Sequence, residues 1–262
     1  MGSNVIVSTE VEVNKAILVN QGNIFAPAYP KSIRELTGDY SIFQMNGTLH
    51  RNMHALIISF FRSPHLKARI TSHIELSVKH CLLTWKDATP QNPIYIQDQV
   101  KMITFPVLVK VLMSVSGDEE LELLRKDFQE FFKGFLNCVP IKFPGTTLYK
   151  SLKAKERMVK MVKRIMEERM HKNTSRSDEE NDMMDVMLKH EWNPKPTLEM
   201  MCSNIVELIT PGEETVPSAM TIAIFFLSNS PLALSKLREE NMELKRHKSS
   251  TDNKYAWTDY MS

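Results

Sequence analysis

The sequence of 262 residues is poor in glycine and cysteine. Its eight glycines never form a Gly-x-Gly-x-x-Gly pattern or a phosphate-binding loop, so nothing supports an enzyme that uses ATP or NAD directly. Three cysteines without paired spacing argue against a disulfide framework and for a reducing compartment. A net charge of +2 is too balanced to predict a nucleic-acid partner.

Apolar periodicity predicts a mostly α protein. The helices are predicted at 10–20, 33–36, 48–61, 63–86, 98–115 and 118–136, followed by a basic helix that ends near residue 172. A short strand is predicted at 5–8, and the polar run 173–182 is predicted to be a disordered loop.

Between residues 142 and 172 ten Lys or Arg stand against three Glu, and apolar residues recur on one side. This pattern describes an amphipathic cationic helix. Two interpretations stay open: a solvated surface helix, or a helix that lies on a membrane surface.

The run Pro211–Gly212–Glu213–Glu214–Thr215–Val216–Pro217 interrupts a helix that is apolar on nearly every face, which predicts burial of that helix. Each proline removes a backbone donor, so the helix should open around residues 212–215. Glycine there lets a ligand approach the backbone closely. Buried carboxyl groups are costly unless they are paired or protonated. The segment is therefore either a wet, functional notch or a kinked core helix whose acids reach solvent.

His50 and His54 are four residues apart and so share one helical face. A zinc protease motif needs a glutamate directly after the first histidine, and Arg51 stands there instead. No third ligand is evident, so we predict no metal site. Two ordinary surface histidines remain an alternative.

The pattern Gly212-Glu213-Glu214-Thr215 resembles the central-helix signature of the cytochrome P-450 monooxygenases. Four segments extend the likeness, from Val5 onward, to the plant brassinosteroid branch and to its hydroxylases that act at C-23 of the steroid. They are 141–146 (IKFPGT), 148–157 (LYKSLKAKER), 211–217 (PGEETVP) and 255–262 (YAWTDYMS).

The resemblance implies a haem cofactor, a steroid substrate, and electrons from NADPH through a flavoprotein reductase. Thr215 would donate a hydrogen bond to dioxygen or water, and Glu214 would help to relay protons. Gly212 would lie near the haem, with His50 and His54 at its propionates. His54 replaces the usual arginine, so it offers a weaker donor. Residues 40–45, 141–143 and 206–210 would face the substrate.

Two elements of that family are missing. None of Cys81, Cys138 and Cys202 lies in the glycine-rich loop that supplies the haem thiolate. Glu122 and Arg125 fit a Glu-x-x-Arg pattern but precede the central helix, so we interpret them as an exposed pair worth only tenths of a kcal/mol.

From these gaps we expect residues 1–262 to be one partial domain, a truncated cytochrome P-450 fold that lacks both the N-terminal membrane anchor and the haem-cysteine region. We expect it to be inactive alone. Relatives sit in the endoplasmic reticulum membrane with their catalytic part on the cytosolic face. The alternative is a non-catalytic helical remnant that binds a partner or a membrane surface through its basic helix.

Overall fold

The computed structural model describes residues 6–20, 24–89, 91–115, 117–136, 141–172, 181–251 and 256–260. Those residues form eleven α-helices and no named β-strand. The helices are α1 Val11–Val19, α2 Lys31–Thr37, α3 Gly47–Arg62, α4 Pro64–Thr84, α5 Ile96–Met113, α6 Asp118–Phe132, α7 Thr147–Lys172, α8 Met183–Lys189, α9 Leu198–Glu207, α10 Val216–Ser228 and α11 Pro231–Thr251. The mostly α prediction is confirmed.

The core lies where α5, α6, α7 and α9 meet. Phenylalanines of α5 and α6 fill it, with Phe105 and Phe128 fully buried and their ring centroids 6.1 Å apart. From α7, Met158, Val162 and Met166 reach the same cluster. The spacing of these three residues puts them on one face of α7, and that face packs against α6 and α9.

One local prediction is wrong, and a second is wrong at its described end. The predicted strand at 5–8 is absent from its described part, because exposed Ile6 and Val7 have no neighbouring strand to pair with. The polar run 173–182 is predicted to be a disordered loop, yet its last residue, Asp182, is fully buried. Asp182 caps α8 by accepting a hydrogen bond from the Asp185 backbone at 3.0 Å. Residues 173–180 lie outside the described part.

Candidate active site at the break in the central helix

The central helix opens between α9 and α10. A π-helical segment spans Pro211–Thr215, and the Val216 backbone N–H donates to the Pro211 carbonyl, five residues back. The cause is local, because Pro211 and Pro217 cannot donate to the helical ladder. The opening predicted from the two prolines is confirmed.

Gly212 permits a close approach, and the group that approaches is helix α5. A Cβ at this position would lie 2.7 Å from Leu108 Cδ2 and 3.1 Å from Leu108 Cβ. The Thr104 hydroxyl also donates to the Gly212 carbonyl. The space left by the missing side chain is therefore filled by α5, and contact of Gly212 with a cofactor stays a prediction.

Glu213 is the buried acid of the segment. Its Oε1 accepts a hydrogen bond from Gln129 Nε2 at 3.4 Å, and Lys101 Nζ lies 4.0 Å from it. Its Oε2 has no hydrogen-bond partner among the described residues. Burial raises the pKa of the Glu213 carboxyl, against the opposing effects of Gln129, Lys101 and Arg125.

Glu214 and Thr215 turn to different sides of the segment. Glu214 is half-buried, and its Oε1 accepts a hydrogen bond from Lys101 Nζ at 3.1 Å. Thr215 is exposed, and its hydroxyl donates to the Pro211 carbonyl at 3.2 Å. Of the two acids, Glu214, which is predicted to be catalytic, lies closer to Lys101 than Glu213 does. The side chain of Thr215 is exposed. Their catalytic roles stay predictions.

His50 and His54 stack on α3, with ring centroids 5.7 Å apart and an angle of 17° between the rings. His50 is half-buried and His54 exposed, so both are accessible to an acidic group. Helix α3 packs on α4 and α8, whereas the π segment packs on α5. In the described ranges no hydrogen bond joins the histidines to Gly212, Glu214 or Thr215, and no cluster of three metal-ligating side chains occurs. Their propionate role stays a prediction.

The described cysteines are buried free thiols. Cys81 Sγ donates to Gln99 Oε1 at 3.3 Å, and Cys202 Sγ contacts Met166 Sδ at 3.5 Å. Burial raises the pKa of Cys202 to about 12. This rise disfavours the Cys202 thiolate, the form that ligates haem iron, and the role of the cysteines stays a prediction. Cys138 lies outside the described residues.

Glu122 and Arg125 do not form the exposed pair that the sequence predicts. Glu122 Oε1 lies 3.8 Å from Lys126 Nζ. Arg125 is buried, with its guanidinium 4.8 Å from the Phe105 ring centroid and a hydrogen bond to Met102 Sδ. The interpretation as an exposed ion pair is wrong because the arginine faces the α5–α6 interface.

The basic helix α7 does not offer its apolar face to a membrane, since α6 and α9 cover that face. Several of its cations are also engaged, including Arg157 with Asp127 and Arg169 with Asp182. Among the described residues no single helix is long and apolar enough to span a bilayer. Two pairs reach that length only together, across bends of 105° and 109°: Ile96–Met113 with Asp118–Phe132, and Leu198–Ser228 with Pro231–Lys248. Any surface role of α7 would use its charged side.

Sequence reasoning missed the polar groups that face the break from other helices. Lys101 and Thr104 on α5 and Gln129 on α6 contact the π segment directly. The one signal in α5 is Lys101, which stands just before a mostly apolar stretch, because a cation buried there needs a partner. Nothing in the spacing names that partner, which lies 113 residues away.

The chain is similar to steroid hydroxylases over its whole length. It is 52% identical to a 3-epi-6-deoxocathasterone 23-monooxygenase of Arabidopsis thaliana, with 100% of this chain and 50% of the relative covered. A second enzyme of that name from the same plant is 40% identical over 100% of this chain and 53% of the relative. A steroid (22S)-hydroxylase of Oryza sativa subsp. indica is 33% identical over 99% of this chain and 51% of the relative. The chain thus spans about half the length of the curated relatives it matches.

The fold agrees with that similarity. A retinoic acid-bound cyanobacterial cytochrome P-450 superposes with a TM-score of 0.77 at 20% identity, covering 90% of this chain and 52% of that one. The family profile described as cytochrome P450 matches residues 1–260. The chain therefore belongs to the cytochrome P-450 family and carries a truncated form of its helical fold.

Proposed function

We propose that the chain is the part of a steroid hydroxylase that contributes the central-helix break to a haem monooxygenase. The reaction would be hydroxylation of a steroid side chain at C-23, with dioxygen and with electrons from NADPH delivered by a flavoprotein reductase. The observation that carries the proposal is the π-helical break at Pro211–Thr215, with Thr215 exposed at its end. We further propose that the complete protein works at the cytosolic face of the endoplasmic reticulum membrane.

Some of the described residues fit a haem and others do not. The stacked imidazoles of His50 and His54 offer N–H donors to a carboxylate, and Thr215 offers an unshielded hydroxyl. The described cysteines do not fit the axial position, because both are buried thiols. When bound through a thiolate, haem would supply the activation of dioxygen.

Thr215 is the residue of this chain best placed to handle a proton. Its hydroxyl donates to the Pro211 carbonyl, and rotation about its Cβ–Oγ bond would redirect the hydrogen outward. Glu214 is held by Lys101 on the α5 side. Its carboxylate would first have to leave Lys101 before it could relay protons to the face that Thr215 occupies.

The test uses a joined protein: this chain replaces the matched part of the 52%-identical Arabidopsis relative, and the unmatched parts of that relative keep their own order before and after it. With NADPH and reductase, the joined protein should hydroxylate 3-epi-6-deoxocathasterone. Its reduced form with carbon monoxide should show the Soret band of thiolate-ligated haem. The 262-residue chain alone should not show that band. A band from the chain alone would refute the assignment of its cysteines, and an inactive joined protein that binds haem would refute the substrate.

Thr215→Ala in the joined protein should lower product formation by about 10²- to 10⁴-fold, while NADPH is still consumed and peroxide accumulates, because a positioned proton donor is lost. Thr221→Ala is the matched control. The Thr221 hydroxyl makes the same contact with the carbonyl four residues back, Pro217, at 2.8 Å. Unchanged coupling of NADPH to product in Thr215→Ala would show that the threonine only packs.

A further inference from the structure

A cavity of about 250 Å³ lies between helices α4 and α5. The described residues that line it are Arg69, Ile70 and His73 of α4, Val107, Lys110 and Val111 of α5, and Ser114 directly after α5. Three of these side chains are basic, and none of the described lining residues is acidic. The cavity therefore differs from the break and from the surroundings of α7, where Lys101, Arg157 and Arg169 pair with carboxylates.

A contact between two bases joins the two helices at this cavity. Lys110 Nζ on α5 lies 3.5 Å from His73 Nδ1 on α4. An ammonium group has hydrogen-bond donors and no acceptor, so Nδ1 has to accept and the ring has to be uncharged. Burial lowers the pKa of His73, and the charges of Lys110 and Arg69 lower it further. The neighbouring cations thus hold His73 in its neutral form.

The three bases converge from two helices. Arg69 and His73 are four residues apart, so they share the face of α4 that meets α5. Arg69 Nη2 donates to the Asn181 carbonyl at 3.2 Å, which orients the planar guanidinium group. Lys110 stands in the last turn of α5, where the negative end of the helix suits a cation. That effect explains the lysine alone, and it does not explain why two further bases face it, since like charges repel.

A tetrahedral oxyanion matches this set of donors, because guanidinium and ammonium groups are the usual phosphate-binding side chains of proteins. The cavity is smaller than the roughly 300–1,000 Å³ of pockets for drug-sized ligands, so it suits an ion or a small phosphorylated group. We propose that the cavity binds a phosphate-type oxyanion through Arg69, His73 and Lys110, and that His73 takes up a proton when the ion binds. The site does not rest on the proposed function, since α5 meets the break through Thr104 and Leu108 instead.

Proton uptake follows from the charge of the ion. A bound dianion stabilises the imidazolium form, so Nδ1 gains a proton from the solvent and loses its hydrogen bond from Lys110, which then donates to the ion. In the described part of the chain, the charged groups that act on His73 are Lys110 on α5 and Arg69 on α4. The ion would offset the repulsion from both. Binding should therefore tighten as the pH falls, and by reciprocity the ion should raise the pKa of His73.

The test follows sulfate binding to the 262-residue chain by nuclear magnetic resonance of the histidine rings, at about pH 6 and about pH 8. Sulfate is the probe because its charge does not change in this range, whereas that of phosphate does. Sulfate should raise the pKa of His73, leave those of the other histidines unchanged, and bind more tightly at the lower pH. His73→Gln identifies the signal of His73 and should abolish the dependence of binding on pH.

Two lysine variants separate a site from general attraction. Lys110→Met should weaken sulfate binding by about tenfold, because it removes a charged donor and keeps the aliphatic chain. Lys126→Met is the matched control, since it removes one positive charge from an exposed position beside Glu122 on α6, and it should leave binding unchanged. Equal losses in the two variants would overturn the site, because the ion would then respond only to net charge. Sulfate that does not bind, or that binds without raising the pKa of His73, would overturn it as well.

A further pair of probes distinguishes two sources of the phosphate group. Glycerol 3-phosphate presents the group in solution, and vesicles of phosphatidylcholine with phosphatidic acid, compared with phosphatidylcholine alone, present it on a lipid. Binding that Lys110→Met weakens, to either probe, would support the site and identify the source. Failure of both probes to bind in this way would overturn the assignment of a phosphate-type ligand.

Discussion

The two halves of the central helix have similar apolar sequences and opposite surroundings. In α9, Met201, Ile205 and Val206 are buried, and the helices that pack on α9 are α7 and α8. In α10, Phe225 and Phe226 are each 63% exposed, and Ile222 is 55% exposed. The prediction that the whole helix is buried is therefore right for the half before the break and wrong for the half after it, within this chain.

The difference shows what an apolar sequence predicts. Apolar side chains on all faces indicate that a helix is suited to burial, but the burial itself needs partners that surround it. Helix α9 has them in α7, which packs along it and contributes buried methionines. Helix α10 packs mainly on α5, which covers one side only. The apolar composition of a helix therefore shows that it can be buried, whereas the helices packed around it decide how exposed it is.

The largest expected effect compares a deletion in each half. Ile205→Ala should lower the free energy of unfolding of the chain by about 2–5 kcal/mol, because it leaves a cavity among fully buried residues. Phe225→Ala removes more atoms and should change it by no more than about 0.5 kcal/mol, since the ring is already in solvent. Urea unfolding, monitored by far-ultraviolet circular dichroism, measures the free energy of unfolding of both variants.

Equal losses of unfolding free energy in Ile205→Ala and Phe225→Ala would contradict the contrast between α9 and α10, because they would show that α10 is covered in solution. Val216→Ala gives a second exposed position at the start of α10 and should behave as Phe225→Ala does. A large effect at Phe225 and none at Val216 would confine the covering contact to the end of the helix.

A smaller effect is expected at the break itself. Gly212→Ala places a Cβ 3.1 Å from Leu108 Cβ and 3.3 Å from the Thr104 carbonyl. Overpacking of this kind costs about 1–3 kcal/mol, and the preference of helices for alanine over glycine returns about 0.5–1 kcal/mol. The net expectation is a loss of about 0–2.5 kcal/mol in the free energy of unfolding measured with urea. Adding Leu108→Ala should cancel part of the loss caused by Gly212→Ala, because it removes the side chain that the new Cβ meets. If the losses of the two single variants simply add in the double variant, the strain lies elsewhere.

Much of the fold and part of the site follow from local sequence. The position of the break could be predicted from Pro211 and Pro217, because the loss of two backbone donors acts within one turn. The start of α4 at Pro64 follows from the same reasoning, since proline suits the first helical turn.

The environment of each acid could not be predicted in this way. Spacing shows that Glu213 and Glu214 point about 100° apart, but it does not show which of them faces α5 and α6. The buried hydrogen bond from the Ser41 hydroxyl to Glu207 is even harder to predict, because the two residues are 166 positions apart in the sequence. Such contacts depend on how the helices pack, and a single sequence has no local signal for that packing.

The smallest expected effect concerns Glu213, which lies at the boundary between the two halves. Its folded pKa is raised above the ordinary value of 4.5, so the folded chain holds that proton more tightly than the unfolded chain. Stability from this group is therefore fully present below pH 4.5 and is lost as the pH rises through the folded pKa. This direction is opposite to that of a paired surface carboxylate such as Glu156, whose pKa is lowered to about 2.

Glu213→Gln should accordingly stabilise the chain at pH 7 by about 1 kcal/mol, because it removes a buried charge whose Oε2 has no partner. The gain should shrink as the pH falls through the raised folded pKa, because the wild-type carboxyl then takes up its proton in the folded state. Lys101 keeps its contact with Glu214 at 3.1 Å, so the substitution does not strand a cation. Glu214→Gln is the matched control and should not stabilise the chain, since it removes that contact. Urea unfolding at several pH values decides the matter: a gain at Glu213 that does not depend on pH would mean that packing, and not the charge, limits the stability of the break.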